Sequence, residues 1–216
     1  MTWNKGTFLL EKGFTARRCL MQAKRVLCRP LATSVPEFIF NPGPYDEFVL
    51  EPLSVFNISC TSERNVAWVE PLPNNTFVLP GYYTATLFIY NASVTHTGYY
   101  TCKYQDKEGD EEDDEENEAV IYVFVPDPKV PFVPEEPGSM VVLVYPGETI
   151  IPCRVSDPHY PVVLKSAPSG VEVDAAYDNK IGFIGNLDAG LYVCETTVNG
   201  VTMTSDIYTP PLLPPF

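Results

Sequence analysis

The sequence has little of what marks membrane spans and enzymes. No apolar run approaches the roughly 18 residues that a membrane-spanning helix needs, so we predict no span in this chain. The two histidines, His96 and His159, belong to no metal-binding or nucleophile signature, and no phosphate-binding loop or nucleophilic serine motif occurs. We therefore predict that the chain is not an enzyme and that it binds no cofactor and no metal ion.

Basic residues are also scarce. The 216 residues include 14 Lys and Arg against 28 Asp and Glu, which gives a formal net charge of −14. A chain this acidic repels a phosphate backbone, which argues against a nucleic acid as partner. The hydrophobic share of 45% is typical of a folded protein, and the 22 prolines indicate stiff joints or edge strands.

The charge is unevenly distributed along the chain. Residues 1–36 hold seven basic residues and one acid, whereas the remaining residues carry a net charge of about −20. Ten acids lie between Asp106 and Glu118, with Lys107 as the only base among them. We interpret this acidic stretch as a hairpin loop, and three roles are open: a solvated surface loop, long-range attraction of a basic ligand, or weak calcium binding.

Both ends of the chain look detached from the rest. Residues 1–36 contain no apolar segment long enough for a recognisable signal peptide, and we expect a disordered leader from an alternative first exon. Cys19 and Cys28 lie in that leader, outside any expected disulfide framework. Residues 210–216 are rich in proline, which cannot continue a central strand, so we expect a disordered tail.

The informative signal is a pattern that occurs twice. The pairs Cys60/Cys102 and Cys153/Cys194 have nearly the same spacing. In each copy a tyrosine stands two residues before the second cysteine and a glycine stands four before it; these tyrosines are Tyr100 and Tyr192. Trp68 follows the first cysteine of copy one, and Leu164 stands near the corresponding place in copy two.

This pattern predicts two immunoglobulin-like β-sandwiches in tandem, an all-β fold. Short alternating runs around the cysteines read as half-buried strands, so each pair would bridge two sheets, Cys60 to Cys102 and Cys153 to Cys194. Each tyrosine has the position whose hydroxyl bonds back to an upstream turn. Each bridge closes a loop of about 40 residues, which is worth roughly 4 kcal/mol in the chain-entropy model. We place domain 1 at residues 37–125 and domain 2 at residues 126–209.

Disulfides and glycosylation acceptors predict an extracellular protein. Disulfides persist in oxidising compartments, and three Asn-x-Ser/Thr acceptors occur in domain 1, at Asn57, Asn74 and Asn91. Asn57 lies on a predicted strand and should point outward, because Cys60 three positions later must point inward. Between the domains, the alternating prolines of residues 125–134 predict a short, stiff, extended linker.

Several stretches resemble the first two extracellular immunoglobulin domains of platelet-derived growth factor receptors. They are the linker Val125-Pro126-Asp127-Pro128, the strand Ile151-Pro152-Cys153-Arg154, the turn from Tyr177 to Phe183, the run from His96 to Cys102, and Ser205 to Tyr208. The resemblance covers about residues 37–209 and fits both the alpha and the beta receptor types. It implies an extracellular receptor module whose partner is a cystine-knot growth factor dimer.

The same resemblance implies where a ligand would bind. The growth factor is gripped in this family by the second and third domains, and the end of the second domain supplies aromatic contacts. Tyr208 is the residue that corresponds here, with Ile207 beside it as a second candidate. The third domain, the membrane span and the kinase have no counterpart in these residues, so we expect a truncated or soluble receptor-like chain that is monomeric alone. The alternative function is an adhesion or structural immunoglobulin protein, because this fold serves many recognition roles.

Overall fold

The structure is a computed structural model of the chain. It describes residues 17–22, 25–30, 38–43, 46–105, 118–134, 143–145 and 148–209. For residues 17–22, 25–30 and 143–145 the description covers the backbone. Residues 106–117 of the acidic stretch and residues 210–216 of the proline-rich tail, on which two of the expectations above depend, lie outside the described residues.

The chain divides into two units, Met1–Glu37 and Phe38–Phe216. Within the first unit, strands β1 (Arg17–Gln22) and β2 (Arg25–Pro30) pair antiparallel, with Cys19 opposite Cys28 in the register. Paired strands therefore occur where we expect a leader without a fold. A single hairpin has too few neighbouring strands to bury an apolar face. The sequence of β1 and β2 therefore lacks the alternation of apolar and polar residues that would predict a half-buried strand.

Domain 1 is a sandwich of two four-stranded sheets. Its strands in chain order are β3 (Ile39–Asn41), β4 (Glu47–Val49), β5 (Phe56–Thr61), β6 (Val66–Trp68), β7 (Thr76–Leu79), β8 (Thr84–Ile89), β9 (Gly98–Tyr104) and β10 (Glu118–Phe124). One sheet has the order β3-β5-β8-β7 and the other β4-β10-β9-β6. All pairings are antiparallel except that of β4 with β10, which is parallel.

A disulfide between the two sheets lies at the centre of the domain 1 core. Cys60 on β5 is bonded to Cys102 on β9, with their Cα atoms 6.5 Å apart. Trp68 lies opposite Cys102 in the register of β6 and β9, and its indole N–H donates to the Ala85 carbonyl at 3.0 Å. The buried indole thus packs beside the bridge with its one polar atom satisfied, as a buried tryptophan requires.

Domain 2 is a smaller sandwich. Its strands are β11 (Leu143–Tyr145), β12 (Glu148–Ile151), β13 (Val162–Ser166), β14 (Ala176–Asp178), β15 (Gly182–Gly185), β16 (Tyr192–Val198) and β17 (Val201–Thr204). They form the sheets β11-β12-β15-β14 and β13-β16-β17. The predicted all-β fold of two tandem immunoglobulin-like sandwiches is therefore confirmed.

The domain 2 core repeats the plan of domain 1 with an aliphatic residue in place of the indole. Cys153 is bonded to Cys194 on β16, with their Cα atoms 6.3 Å apart. Leu164 on β13 lies opposite Cys194 in the register, the same relation that Trp68 has to Cys102. Leu164 is fully buried, so this disulfide packs against an aliphatic side chain.

The two tyrosines before the second cysteines make the same contact. The Tyr100 hydroxyl donates to the His96 carbonyl at 2.9 Å, and the Tyr192 hydroxyl donates to the Asp188 carbonyl at 2.8 Å. Both acceptors lie four residues upstream, in the turn that leads into the strand. Each hydroxyl therefore fixes the approach of one core strand.

We expect Tyr100→Phe to lower the free energy of unfolding of domain 1 by about 1 kcal/mol, because it removes one buried hydrogen bond. Urea denaturation followed by Trp68 fluorescence, in a Trp3→Phe background, measures this change. Tyr83→Phe is the matched control, because Tyr83 is exposed. An equal loss in the two variants would contradict the assigned role of the Tyr100 hydroxyl.

The same variant should change the response to alkaline pH. Burial raises the pKa of the Tyr100 hydroxyl above its ordinary value near 10. The folded state then holds this proton more tightly than the unfolded state, so the stabilisation is complete below about pH 10 and is lost as the pH rises further. We expect the decline of stability above about pH 10 to be shallower in Tyr100→Phe, measured by urea denaturation at several alkaline pH values.

Candidate ligand-binding surface and interdomain joint

The outer face of the β13-β16-β17 sheet is the candidate binding surface of domain 2. Along β16, Tyr192, Cys194 and Thr196 are buried, so the alternate residues Val193 and Glu195 point away from the core. The outward residues of β13 complete the face. Val163 lies opposite Glu195 in the register, and Lys165 lies opposite Val193.

This face is close to electrically neutral at its centre. The Lys165 ammonium group donates to the Glu195 carboxylate at 2.5 Å, and both side chains are about three-quarters buried. The opposite charges compensate each other beside two half-buried valines, Val163 and Val193. Such a surface favours apolar contact with a partner over attraction of one sign of charge.

The segment after β17 is fixed to β16 at two points. Ser205 N–H donates to the Cys194 carbonyl at 2.9 Å, and the Ser205 hydroxyl accepts from Cys194 N–H at 3.0 Å. Tyr208 exchanges two backbone hydrogen bonds with Tyr192, at 2.8 and 2.9 Å. Asp206 and Ile207 lie between these points, so the backbone presents them in one defined place.

The two predicted ligand residues differ in accessibility. Tyr208 is half-buried and packs against the domain 2 core, whereas the side chain of Ile207 is 62% exposed. Strand β17 ends at Thr204, and Tyr208 forms an isolated bridge with Tyr192 beyond it. The structure therefore places Ile207 at the surface, whereas Tyr208 holds this segment against β16 through its backbone bonds to Tyr192.

The three glycosylation acceptors are accessible. Asn57 lies on β5, Asn74 lies in the turn before β7, and Asn91 follows β8; all three are exposed. Asn57 points outward, because its strand neighbours Ile58 and Cys60 are fully buried.

The histidines have structural surroundings. His96 ends a short 3-10 helix, Val94–His96, and is buried. Its Nδ1 accepts from Ser93 N–H at 3.1 Å, and its Nε2 lies 2.8 Å from the Asn74 carbonyl. His159 is exposed and lies 2.8 Å from the Asp157 carboxylate.

Within the described residues, no three His, Cys, Asp or Glu side chains group as metal ligands, and no helix is long and apolar enough to cross a membrane.

Strand β10 joins the two domains because it is buried on both faces. Its residues Ile121 and Val123 point into the domain 1 core, whereas the intervening Tyr122 and Phe124 are equally buried but lie outside that core. The rings of Tyr122 and Phe124 contact each other, with centroids 4.6 Å apart. Lys180 of domain 2 lies over the Tyr122 ring, 5.6 Å from its centroid.

An ion pair and backbone bonds close this joint. The Lys180 ammonium lies 2.9 Å from the Glu47 carboxylate of domain 1, and this hydrogen bond raises the pKa of Lys180. The linker is fixed to domain 2 by the bond from Ser156 N–H to the Pro131 carbonyl at 2.8 Å. Asp127 N–H in turn donates to the Ser156 hydroxyl at 3.1 Å. The linker is thus a packed segment and not a free spacer.

Comparison with known proteins identifies the group to which these domains are related. Residues 44–135 match the family model "VEGFR1-3, N-terminal Ig-like domain". The alpha platelet-derived growth factor receptor of Gallus gallus is 38% identical over 190 residues, covering 83% of this chain and 17% of the receptor. The Homo sapiens alpha receptor is 35% identical, covering 87% of this chain and 17% of the receptor.

The chain is similar to the platelet-derived growth factor receptors over most of its own length. The beta receptor of Rattus norvegicus supports this too, at 34% identity over 77% of this chain and 15% of the receptor. The resemblance found in the sequence is confirmed, and the chain spans about one sixth of the length of these relatives. Among solved structures, one from work on "T cell specificity and activation by the bacterial superantigen toxic shock syndrome toxin-1" aligns with 42% of this chain, at 13% identity and a TM-score of 0.32, too low to bear on the fold.

The interdomain joint generates a prediction. Tyr122→Ala removes a ring that is 1% exposed and leaves a cavity between the domains, so we expect a loss of about 3–5 kcal/mol in unfolding free energy. We also expect a larger radius of gyration by small-angle X-ray scattering, because the domains lose their shared contact. Tyr82→Ala, at an exposed site, is the control and should change neither quantity. An unchanged radius of gyration in Tyr122→Ala would contradict a joint built on this ring.

Proposed function

We propose that this chain is an extracellular, growth-factor-binding receptor module, without a membrane span or kinase in its 216 residues. The observation that supports this best is the similarity to alpha and beta platelet-derived growth factor receptors, which extends over 77–87% of the chain and so includes both sandwich domains. The predicted partner is a cystine-knot growth factor dimer, and we propose that the chain alone is a monomer. No reaction is proposed for it.

The geometry of domain 2 supports a binding role for its C-terminal segment. Ile207 is an exposed aliphatic side chain on a backbone held at Ser205 and Tyr208. A side chain on a fixed backbone loses little freedom when a partner covers it, so more of the contact energy appears as affinity. The neighbouring neutral face with Val163 and Val193 would extend the apolar contact.

Surface plasmon resonance with the full chain tests the proposal. The chain is directed through the secretory pathway by an added leader and is passed over immobilised platelet-derived growth factors. We expect saturable binding at micromolar concentrations or better. The affinity can be as weak as micromolar because the growth factor is gripped in this family by the second and third domains, and these residues include only the second. No binding, in the chain alone and after addition of a relative's third domain, would overturn the proposal. Homophilic bead aggregation would instead support an adhesion protein.

Within this assay, we expect Ile207→Asp to weaken growth factor binding by at least about tenfold, because a charge would be desolvated at the contact. Val55→Asp is the matched control, since Val55 is 61% exposed but lies in domain 1. Tyr208→Ala should weaken binding through loss of the fixed segment, with a measurable loss of stability. Equal affinities for Ile207→Asp and Val55→Asp would remove Ile207 from the binding surface.

A further inference from the structure

One glycosylation acceptor lies in the same row as two aromatic rings on the outer face of the β3-β5-β8-β7 sheet. Asn57 on β5 is opposite Phe88 on β8, and Phe88 is opposite Phe77 on β7. Residues that are opposite in a sheet point to the same face. Asn57, Phe88 and Phe77 therefore form one continuous row across three strands.

The aromatic part of this row is accessible within the described structure. Phe77 is 54% exposed and Tyr90 is 43% exposed, with Phe88 half-buried between them. Phe88 and Tyr90 are stacked with centroids 6.2 Å apart, and Phe77 lies the same distance from Phe88. Phe77, Phe88 and Tyr90, which we call the aromatic strip, form an apolar patch on a face turned away from the core.

The next two outward rows of this face hold hydroxyl pairs on β5 and β8, with the exposed aliphatic residues Leu79 on β7 and Ile39 on β3 beside them. The Ser59 and Thr86 hydroxyls are 2.8 Å apart, and the Thr61 and Thr84 hydroxyls are 3.0 Å apart. These pairs occupy the next outward rows of the strands β5 and β8. The face thus changes from hydroxyl pairs to aromatic rings at the row that contains Asn57.

We propose that an N-linked glycan on Asn57 lies over Phe88 and Phe77 and covers the aromatic strip. Asn57 is exposed and begins the acceptor Asn57-Ile58-Ser59. Neighbouring strands lie about 4.8 Å apart, so the two rings lie about one and two strand spacings from Asn57, beneath the first sugars of the glycan. One face of a pyranose ring consists of C–H groups, which pack on an aromatic ring much as an aliphatic side chain does.

The proposal assigns this face to carbohydrate rather than to a second protein chain. A protein partner seated on the strip would have to displace a glycan attached within the same row. The inference depends on the extracellular location proposed above, where glycosylation occurs, but not on growth factor binding.

The test begins with the full chain secreted from mammalian cells and mapped for glycosylated peptides. We expect Asn57 to be occupied. We then expect Asn57→Gln to lower the midpoint of thermal unfolding by about 3 °C or more, because the strip loses its cover. In a Phe88→Thr background, the same Asn57→Gln change should cost less than about 1 °C, since the ring directly opposite Asn57 is then absent and Phe77 lies one strand further away.

Asn74→Gln is the control, because Asn74 lies in a turn outside the row and its loss should give the same small shift in both backgrounds. If Phe88→Thr does not fold, Phe77→Thr on the edge strand replaces it, and nuclear Overhauser contacts between sugar and ring protons give a direct measurement. An unoccupied Asn57, equal shifts with and without Phe88, or absent sugar–ring contacts would overturn the inference. Growth factor binding is measured on the same Asn57→Gln protein. If binding is retained and no sugar–ring coupling is found, the glycan inference is refuted and the proposed growth factor binding is not. If the chain is retained in the cell, the result counts against the proposed extracellular location. Glycosylated peptides are then mapped on the protein recovered from the cells.

Discussion

The two-sided burial of β10 is the constraint on which the arrangement of the molecule depends. Alternate residues of this strand complete the domain 1 core, while Tyr122 and Phe124 are buried on its other face. A strand with two buried faces cannot shift its register by one residue without exchanging every side chain between them. The pairing of β10 with β9 and β4 therefore fixes the place where domain 2 meets domain 1.

The joint and the candidate binding surface occupy different parts of domain 2. The joint uses Lys180 in the turn before β15, together with Ser156 after β12. The candidate surface lies on the β13-β16-β17 sheet and on the segment that contains Ile207. Since the two share none of these side chains, a partner can contact domain 2 without opening the joint.

Features that residue type and spacing mark could be predicted, and contacts between residues that carry no such mark could not. The cysteine, tyrosine and glycine spacing predicts both sandwiches because the bridged cysteines lie 42 and 41 residues apart in the two copies, and each tyrosine bonds to a carbonyl four residues upstream. The ion pair of Glu47 with Lys180 gives no such signal, since a surface charge looks the same with or without a distant partner. The apolar run from Ala119 to Val125 indicates a strand, but it does not show that domain 2 covers one of its faces. Ile207 is exposed because backbone bonds hold its neighbours, and backbone bonds leave no trace in residue type.

The charges of the molecule bear on how fast a partner arrives more than on how tightly it is held. The candidate surface contains the compensated pair Lys165 and Glu195, so its centre offers no net charge to a basic ligand. The acidity of the chain, −14 in total, acts over a longer range and raises the rate of encounter with a basic partner, an effect that salt screens. Under the proposed function, affinity then comes from apolar contacts, for which Ile207 is the candidate residue. A partner of this surface should therefore show an association rate that falls with ionic strength and a dissociation rate that hardly changes.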